Sequence, residues 1–185
     1  MKKIPLFEEF ITEKKGDSYS AGCVMLYFNF PQMDALHKLI DADDIYTEEE
    51  DRTYGLEDEP HCTLLYGLDP KVTLDQVKEK VGSFKFGDLI AYNASLFENP
   101  KFDVLKFDMR YPTKGGAFLH KCNMALCELP YKTDFPDYHP HMTVAYIKPG
   151  LGKKYVSLLK DKEYDLKPSN IVYSEADGTK TKIEI

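Results

Sequence analysis

An α+β fold made of two matching halves is what this chain of 185 residues predicts. Three observations predict it. The phrase Pro60-His61-Cys62-Thr63-Leu64-Leu65-Tyr66 returns as Pro140-His141-Met142-Thr143-Val144-Ala145-Tyr146. Each copy follows an apolar β-prone run and a segment with helical spacing. Between the two copies lies a section rich in strand-forming residues. A strand turns alternate side chains to opposite faces, so in each copy His and Thr point one way and Cys62 or Met142 the other.

The elements come in this order. Ile4 to Glu13 carries apolar residues at mixed spacing and reads as a short amphipathic helix before the flexible Lys14-Lys15-Gly16-Asp17. Ala21 to Phe30 reads as a central strand stopped by Pro31, and Met33, Leu36, His37 and Ile40 continue with helical spacing. An acidic connector from Asp41 to Glu59 leads to the first signature strand, His61 to Gly67. Thr73 is a helix N-cap with Gln76 three residues on, opening a helix through Val81. Phe84 to Phe86, Leu89 to Phe97 and Val104 to Arg110 read as strands, the last two joined through Asn99-Pro100. A helix from Ala117 to Glu128 and a second signature strand from Tyr138 to Ile147 come next. Tyr155 to Leu159 reads as helix, and Ile171 to Ser174 with Thr179 to Ile185 as a hairpin about Asp177-Gly178.

The repeated residues point to the opening or transfer of a phosphodiester. A histidine changes protonation near neutral pH, so one imidazole can take a proton from the attacking oxygen while the other supplies one to the leaving oxygen. Threonine hydroxyls can donate to the non-bridging phosphoryl oxygens where charge gathers. This scheme calls for no metal and no cofactor. A single His or Thr in a strand is ordinary packing. Packing gives no reason to repeat a titratable residue among the same neighbours eighty positions later.

Charged residues make up 30% of the chain and hydrophobic ones 43%, the balance of a folded globular protein. The net charge of −7 excludes a surface that coats long nucleic acid, which needs Lys and Arg to displace counterions, but not a pocket for a small nucleotide. The sequence shows no membrane-spanning run and no signal-like core behind Met1-Lys2-Lys3, so a cytoplasmic protein without a membrane partner is expected. Cys23, Cys62, Cys122 and Cys127 lack C-x-x-C spacing and read as reduced thiols. His139 and His141 alternate on one strand without a partner cluster, so no metal site is expected. The acidic residues between Asp41 and Glu59 read as a solvated face, or else as a flap that turns long polyanions away from the cleft.

Other residues are weaker candidates. Tyr66 and Tyr146 fall an odd interval after their histidines and are expected to pack on the opposite face unless the strand bulges. His139 shares the face of His141 and could line the pocket or be structural. His37 reads as a half-buried helix residue and His120 as a surface one. Tyr19 is the nominee to stack on a base and Glu175 to bond a base edge, since a nucleobase needs an aromatic platform.

At its signatures the chain resembles the 2H phosphoesterase superfamily, whose members carry two H-x-T/S motifs. The resemblance extends over most of the chain, including Ser20 to Phe30 and the stretch Phe97-Glu98-Asn99-Pro100-Lys101 followed by Val104 to Met109. It implies a single bilobal domain over residues 1–185, with two pseudo-symmetric antiparallel sheets flanking a central cleft and helices outside. It also implies that His61, Thr63, His141 and Thr143 are the catalytic residues of a hydrolase. The short acidic chain and its opening Leu6-Phe7-Glu8-Glu9-Phe10 look like members encoded by tailed bacteriophages. Some of these resemble the anti-CBASS nucleases, which degrade the host's cyclic oligonucleotide signals, so the expected substrate is a small cyclic nucleotide or short oligonucleotide in the host cytoplasm. An RNA 2′,3′-cyclic phosphodiesterase, a 2′-5′ end-processing enzyme and a nucleotide-sequestering module are the alternatives.

Overall fold

Among the described residues one antiparallel sheet holds seven strands, β1 (Gly22–Asn29), β2 (His61–Leu68), β3 (Leu89–Glu98), β4 (Asp103–Arg110), β5 (His141–Ile147), β6 (Tyr164–Ser174) and β7 (Lys180–Ile183), in the order β2-β1-β6-β3-β4-β5 with β7 paired to β6. The computed structural model describes residues 21–49, 51, 54–112, 118–133 and 137–185. The helix expected at Ile4 to Glu13, Tyr19 and Ser20 lie outside them.

The chain runs β1 (Gly22–Asn29), α1 (Met33–His37), β2 (His61–Leu68), α2 (Leu74–Val81) and β3 (Leu89–Glu98). It then repeats that order as β4 (Asp103–Arg110), α3 (Phe118–Leu126), β5 (His141–Ile147), α4 (Lys153–Leu158) and β6 (Tyr164–Ser174), and closes with β7 (Lys180–Ile183). The halves exchange their third strands. β3 pairs along β4 of the second half, and residues 167–174 of β6 pair along β1 of the first. The first residues of β3 and β6 pair with each other, Leu89 with Leu166 and Ala91 with Tyr164, which places a pseudo-twofold axis between them.

Helices cover one side of the sheet, again reciprocally: α1 packs on β5 and α3 on β2. Val24, Leu26, Cys62 and Leu64 from one half and Phe107, Met142 and Val144 from the other meet Leu36, Val77, Leu119 and Leu126 in one core. Each fully buried Leu there contributes about 1.5–3 kcal/mol. The start of α2 is fixed as its sequence predicts: the Gln76 amide donates to Thr73 Oγ1 and the Thr73 amide donates to Gln76 Oε1 at 2.9 Å.

The structure departs from the sequence reading at several ends. Phe84 to Phe86 forms no strand. The Phe84 amide closes a turn on the Val81 carbonyl, and both rings pack half-buried against the core. α3 begins at Phe118 among the described residues and gives way to turns after Leu126. β5 starts at His141 rather than Tyr138. β6 starts at Tyr164, seven residues before the expected Ile171. Pro168 and the surrounding polar residues conceal its first part, and Pro168 is tolerated because it borders a bulge that leaves Ser169 outside the register with β1. At Gly67, with φ +99°, a Cβ would stand 2.0 Å from the Lys132 carbonyl oxygen, so only glycine lets this loop close on β2.

Candidate active site

The two signature histidines are held in the same way. His61 Nδ1 donates to the Glu59 carbonyl at 2.7 Å, and His141 Nδ1 donates to the His139 carbonyl at 2.8 Å. In each case a carbonyl two residues upstream fixes the proton on Nδ1 and directs Nε2 away from the strand. Cys62 and Met142 are fully buried among the helices, so His61, Thr63, His141 and Thr143 lie on the other face of the sheet. Tyr27, the partner of His61 on β1, stacks on its ring at 5.4 Å between centroids. Phe97 meets the His141 ring edge to face at 4.9 Å.

Both signature strands bulge at the same place. Between Val24 and Met25 of β1 the ladder advances one residue, while on β2 it advances two, from Leu65 to Thr63, leaving Leu64 unpaired. On β5 the step from Ala145 to Thr143 likewise leaves out Val144. The carbonyl of each unpaired residue is met by a side chain from the helix of the other half. Asn123 of α3 donates to Leu64 O at 2.7 Å, and His37 of α1 donates from Nε2 to Val144 O at 3.2 Å. The bulges also reverse the parity of the residues beyond them. Tyr66 faces with Cys23 and Thr63, and Tyr146 faces with Val104 and Lys106. Tyr146 packs there in a small aromatic cluster with Tyr54 and Phe102, so the packing role expected of it is found, on the face that a regular strand would not give.

The signatures are brought together. β2 packs against β5, and Tyr138, three residues before His141, donates its hydroxyl to the Thr63 carbonyl at 3.1 Å. The Cys62 thiol lies within reach of the His141 backbone, and burial pushes it up to about 11. Thr63 is hydrogen-bonded to the Cys23 thiol, which burial pushes up to about 12. Burial also holds the Tyr138 hydroxyl well above its ordinary range, so these groups are neutral donors and acceptors at neutral pH. All four cysteines are free thiols.

The remaining candidates fare differently. Tyr19 lies outside the described residues. His139 is exposed and contributes its backbone carbonyl to His141. Glu175 closes the β6–β7 turn, its amide bonded to Thr179 O and its carbonyl to the Gly178 amide. It sits electrostatically beside Tyr173, a residue of the helix-covered core. His120 is exposed on α3, edge-on to the Tyr138 ring. Sequence reasoning read β4 as a strand but passed over its charged side chains. Lys106 is opposite Thr143 and Asp108 opposite His141, and Lys106 Nζ forms an ion pair with Asp108 Oδ1. Charges alternating with apolar residues at Lys106, Asp108 and Arg110 were the signal for them.

The acidic connector is a strap on the outer edge of β5. Tyr46 N donates to Tyr146 O, Tyr146 N to Gly55 O and Glu57 N to Val144 O, at 2.7–3.0 Å. It is anchored by Asp44, which accepts from the Tyr155 hydroxyl at 2.5 Å and pairs with Lys154. Among the described residues no three His, Cys, Asp or Glu side chains gather closely enough to hold a metal ion, and no helix is long and apolar enough to cross a membrane.

No protein-family model matches the sequence, and no curated protein does. Solved structures do match. Usb1 of Kluyveromyces marxianus superposes with a TM-score of 0.54 at 9% identity, covering 91% of this chain and 99% of that one. The same protein with uridine monophosphate gives 0.53 at 10% identity, covering 91% and 100%. E. coli LigT complexed with 3′-AMP gives 0.51 at 13% identity, covering 89% and 95%. Nearly complete coverage of both chains shows that this chain has the α+β fold of Usb1 and LigT.

Proposed function

We propose that this protein is a phosphodiesterase that opens small cyclic nucleotides by two-histidine acid–base catalysis, with His61, Thr63, His141 and Thr143 as its catalytic residues. The observation that carries the proposal is the matched pair of Nδ1–H to carbonyl bonds. They give both imidazoles the same Nδ1–H tautomer, with Nε2 as the basic nitrogen, on strands that pack together. One neutral imidazole takes a proton from the attacking oxygen, a water for a strained cyclic phosphate or a neighbouring 2′-hydroxyl for a larger ring. That oxygen bonds to phosphorus, the P–O bond on the far side breaks, and the other imidazole, protonated, gives its proton to the departing oxygen. The Thr63 and Thr143 hydroxyls donate to the charged non-bridging oxygens. Every charge change is met by these four side chains, so the scheme requires no metal.

Cyclic di- and trinucleotide signals of host anti-phage defence are the proposed substrates, as the resemblance to phage-encoded members implies. The net charge of −7 and the acidic strap beside β5 support a small ligand over a long polyanion. A second reading, the opening of RNA 2′,3′-cyclic phosphate ends, is favoured by the mononucleotides named in the neighbouring structures, uridine monophosphate and 3′-AMP.

A substrate panel tests both. Purified protein is incubated with cyclic dinucleotides, cyclic trinucleotides, 2′,3′-cyclic AMP and an RNA oligonucleotide ending in a 2′,3′-cyclic phosphate, and the products are identified by mass spectrometry. Turnover of cyclic di- or trinucleotides that His61→Ala and His141→Ala abolish is the expected result. Preference for the RNA end selects the second reading. Every ligand recovered intact, or turnover unaffected by both substitutions in folded protein, would falsify the enzymatic proposal.

A further inference from the structure

The two halves of the site differ in what lies beside their threonines. Across the second half, Ser95 of β3, Lys106 of β4 and Thr143 of β5 are successive register partners, so one row of the sheet carries two hydroxyls and an ammonium on one face. The equivalent row of the first half is Val172 of β6, Met25 of β1 and Thr63 of β2, with apolar neighbours in place of the donors. Lys106 is 7% exposed, an expensive place for a charge. It is held there by Asp108 Oδ1, while Asp108 Oδ2 accepts from Asn93 Nδ2 at 2.5 Å. Lys106 Nζ also stands 4.7 Å above the centre of the Phe97 ring that touches His141. The Ser95 hydroxyl oxygen is buried without a hydrogen-bond partner, a cost that folding alone does not explain.

We infer that Ser95, Lys106 and Thr143 form an anion-binding row that grips the non-bridging phosphoryl oxygens. The phosphate then rests on the second half, and the sugar and base lie over Met25, Tyr27 and Val172 of the first. This rests on the phosphodiesterase reading and adds a direction to it. An ammonium has three donors, and Asp108 engages one, so the others can serve an anion. A buried cation already fixed by a carboxylate and a ring loses little freedom on binding. Beside Thr63 the first half places Met25 and Val172 where the second places Lys106 and Ser95, so two-fold similarity in the motifs becomes stronger recognition of the phosphate by one half.

Binding of inorganic phosphate, followed by titration calorimetry, tests the row without requiring turnover. Lys106→Met, which copies the Met25 of the other half, is expected to weaken phosphate binding at least tenfold. Asp108→Asn, which keeps the cation and removes its counter-ion, is expected to tighten it several-fold. Adenosine, which has no phosphate, serves as the neutral control and should bind wild type and Lys106→Met alike. Phosphate binding unchanged in folded Lys106→Met overturns the inference and leaves Lys106 a structural partner of Asp108. If that variant does not fold, Asp108→Asn decides alone, and unchanged or weaker phosphate binding overturns the inference. Phosphate bound through Lys106 by a protein that turns over nothing in the substrate panel would instead sink the catalytic reading and leave the row standing.

Discussion

His37 donates from its Nε2 to the carbonyl of Val144 at 3.2 Å, joining the helix of one half to the bulge in the signature strand of the other. Asn123 makes the symmetry-related bond to Leu64 at 2.7 Å. These bonds fix the residue that comes after each threonine, and so the point where the strand leaves its regular ladder. Removing a donor strands a carbonyl at a cost of about 1–3 kcal/mol. Asn123→Ala should show more of that range than His37→Ala, because Val144 O also accepts the Glu57 amide. Thermal melts check the order. Both variants should also lose roughly tenfold to a hundredfold in kcat, since a shift of the strand by a fraction of an ångström misplaces the attached imidazole.

The proposed pairing of acid and base roles predicts the pH response. The rate should rise and fall in a bell, one limb for the histidine that must be neutral and one for the histidine that must be protonated. Each of His61→Ala and His141→Ala should cost about 10²–10⁴-fold in kcat, and the double variant little more than the worse single one, as groups acting as a unit are not additive. A flat profile, or full multiplication of the two losses, would contradict coupled proton transfer. Steady-state rates from pH 5 to 9 on the best substrate of the panel supply the measurement.

Thr63→Val and Thr143→Val keep the shape and remove the hydroxyl. Each should lower kcat by about ten- to a thousandfold, the range for one donor to a developing charge, with melting temperature near that of the wild type. Thr143→Val carries the larger rise in KM if the phosphate rests on the second half.

Acid should loosen the strap on β5. The bonds from Lys154 and then from the Tyr155 hydroxyl hold the Asp44 carboxyl below its ordinary 3.8. A carboxyl depressed in the folded state stabilises fully above its unfolded value, and that contribution disappears as pH falls through the lower folded value. Wild type should therefore lose stability on acidification below about pH 4 more steeply than Asp44→Asn, which starts from a lower stability at neutral pH. Parallel curves of melting temperature against pH for the two proteins would remove Asp44 from the account.

Gly67→Ala should be among the most destabilising single-methyl changes. A methyl group would meet the Lys132 carbonyl at 2.0 Å, at a backbone angle of +99° that disfavours any side chain. A cost of about 2 kcal/mol or more in chemical denaturation is expected.

Much of the site was legible because its signal is local. His61 and Thr63, like His141 and Thr143, are two apart in a strand, so their common face can be read from the pleat alone. The capping box at Thr73 and Gln76 is equally local. The features that escaped the sequence depend on neighbours remote in the chain. The parity change at Tyr66 and Tyr146 comes from bulges stabilised by Asn123 and His37, 59 and 107 residues from their acceptors. Lys106 gains meaning only when β4 is seen beside β5. The first part of β6 was hidden because Pro168 and the charged residues around it suit an exposed stretch, and the pairing with Phe28 overrides that preference.

The exchange of third strands constrains how the chain matures. β1 is complete on one edge once β2 is made, but its other edge must wait for β6, so Cys23 finds Ser174 across most of the polypeptide. During synthesis that apolar edge stays open until β6 has left the ribosome, a window in which another nascent copy can add to it. Truncation just before β6 should therefore produce aggregates rather than a stable half-molecule.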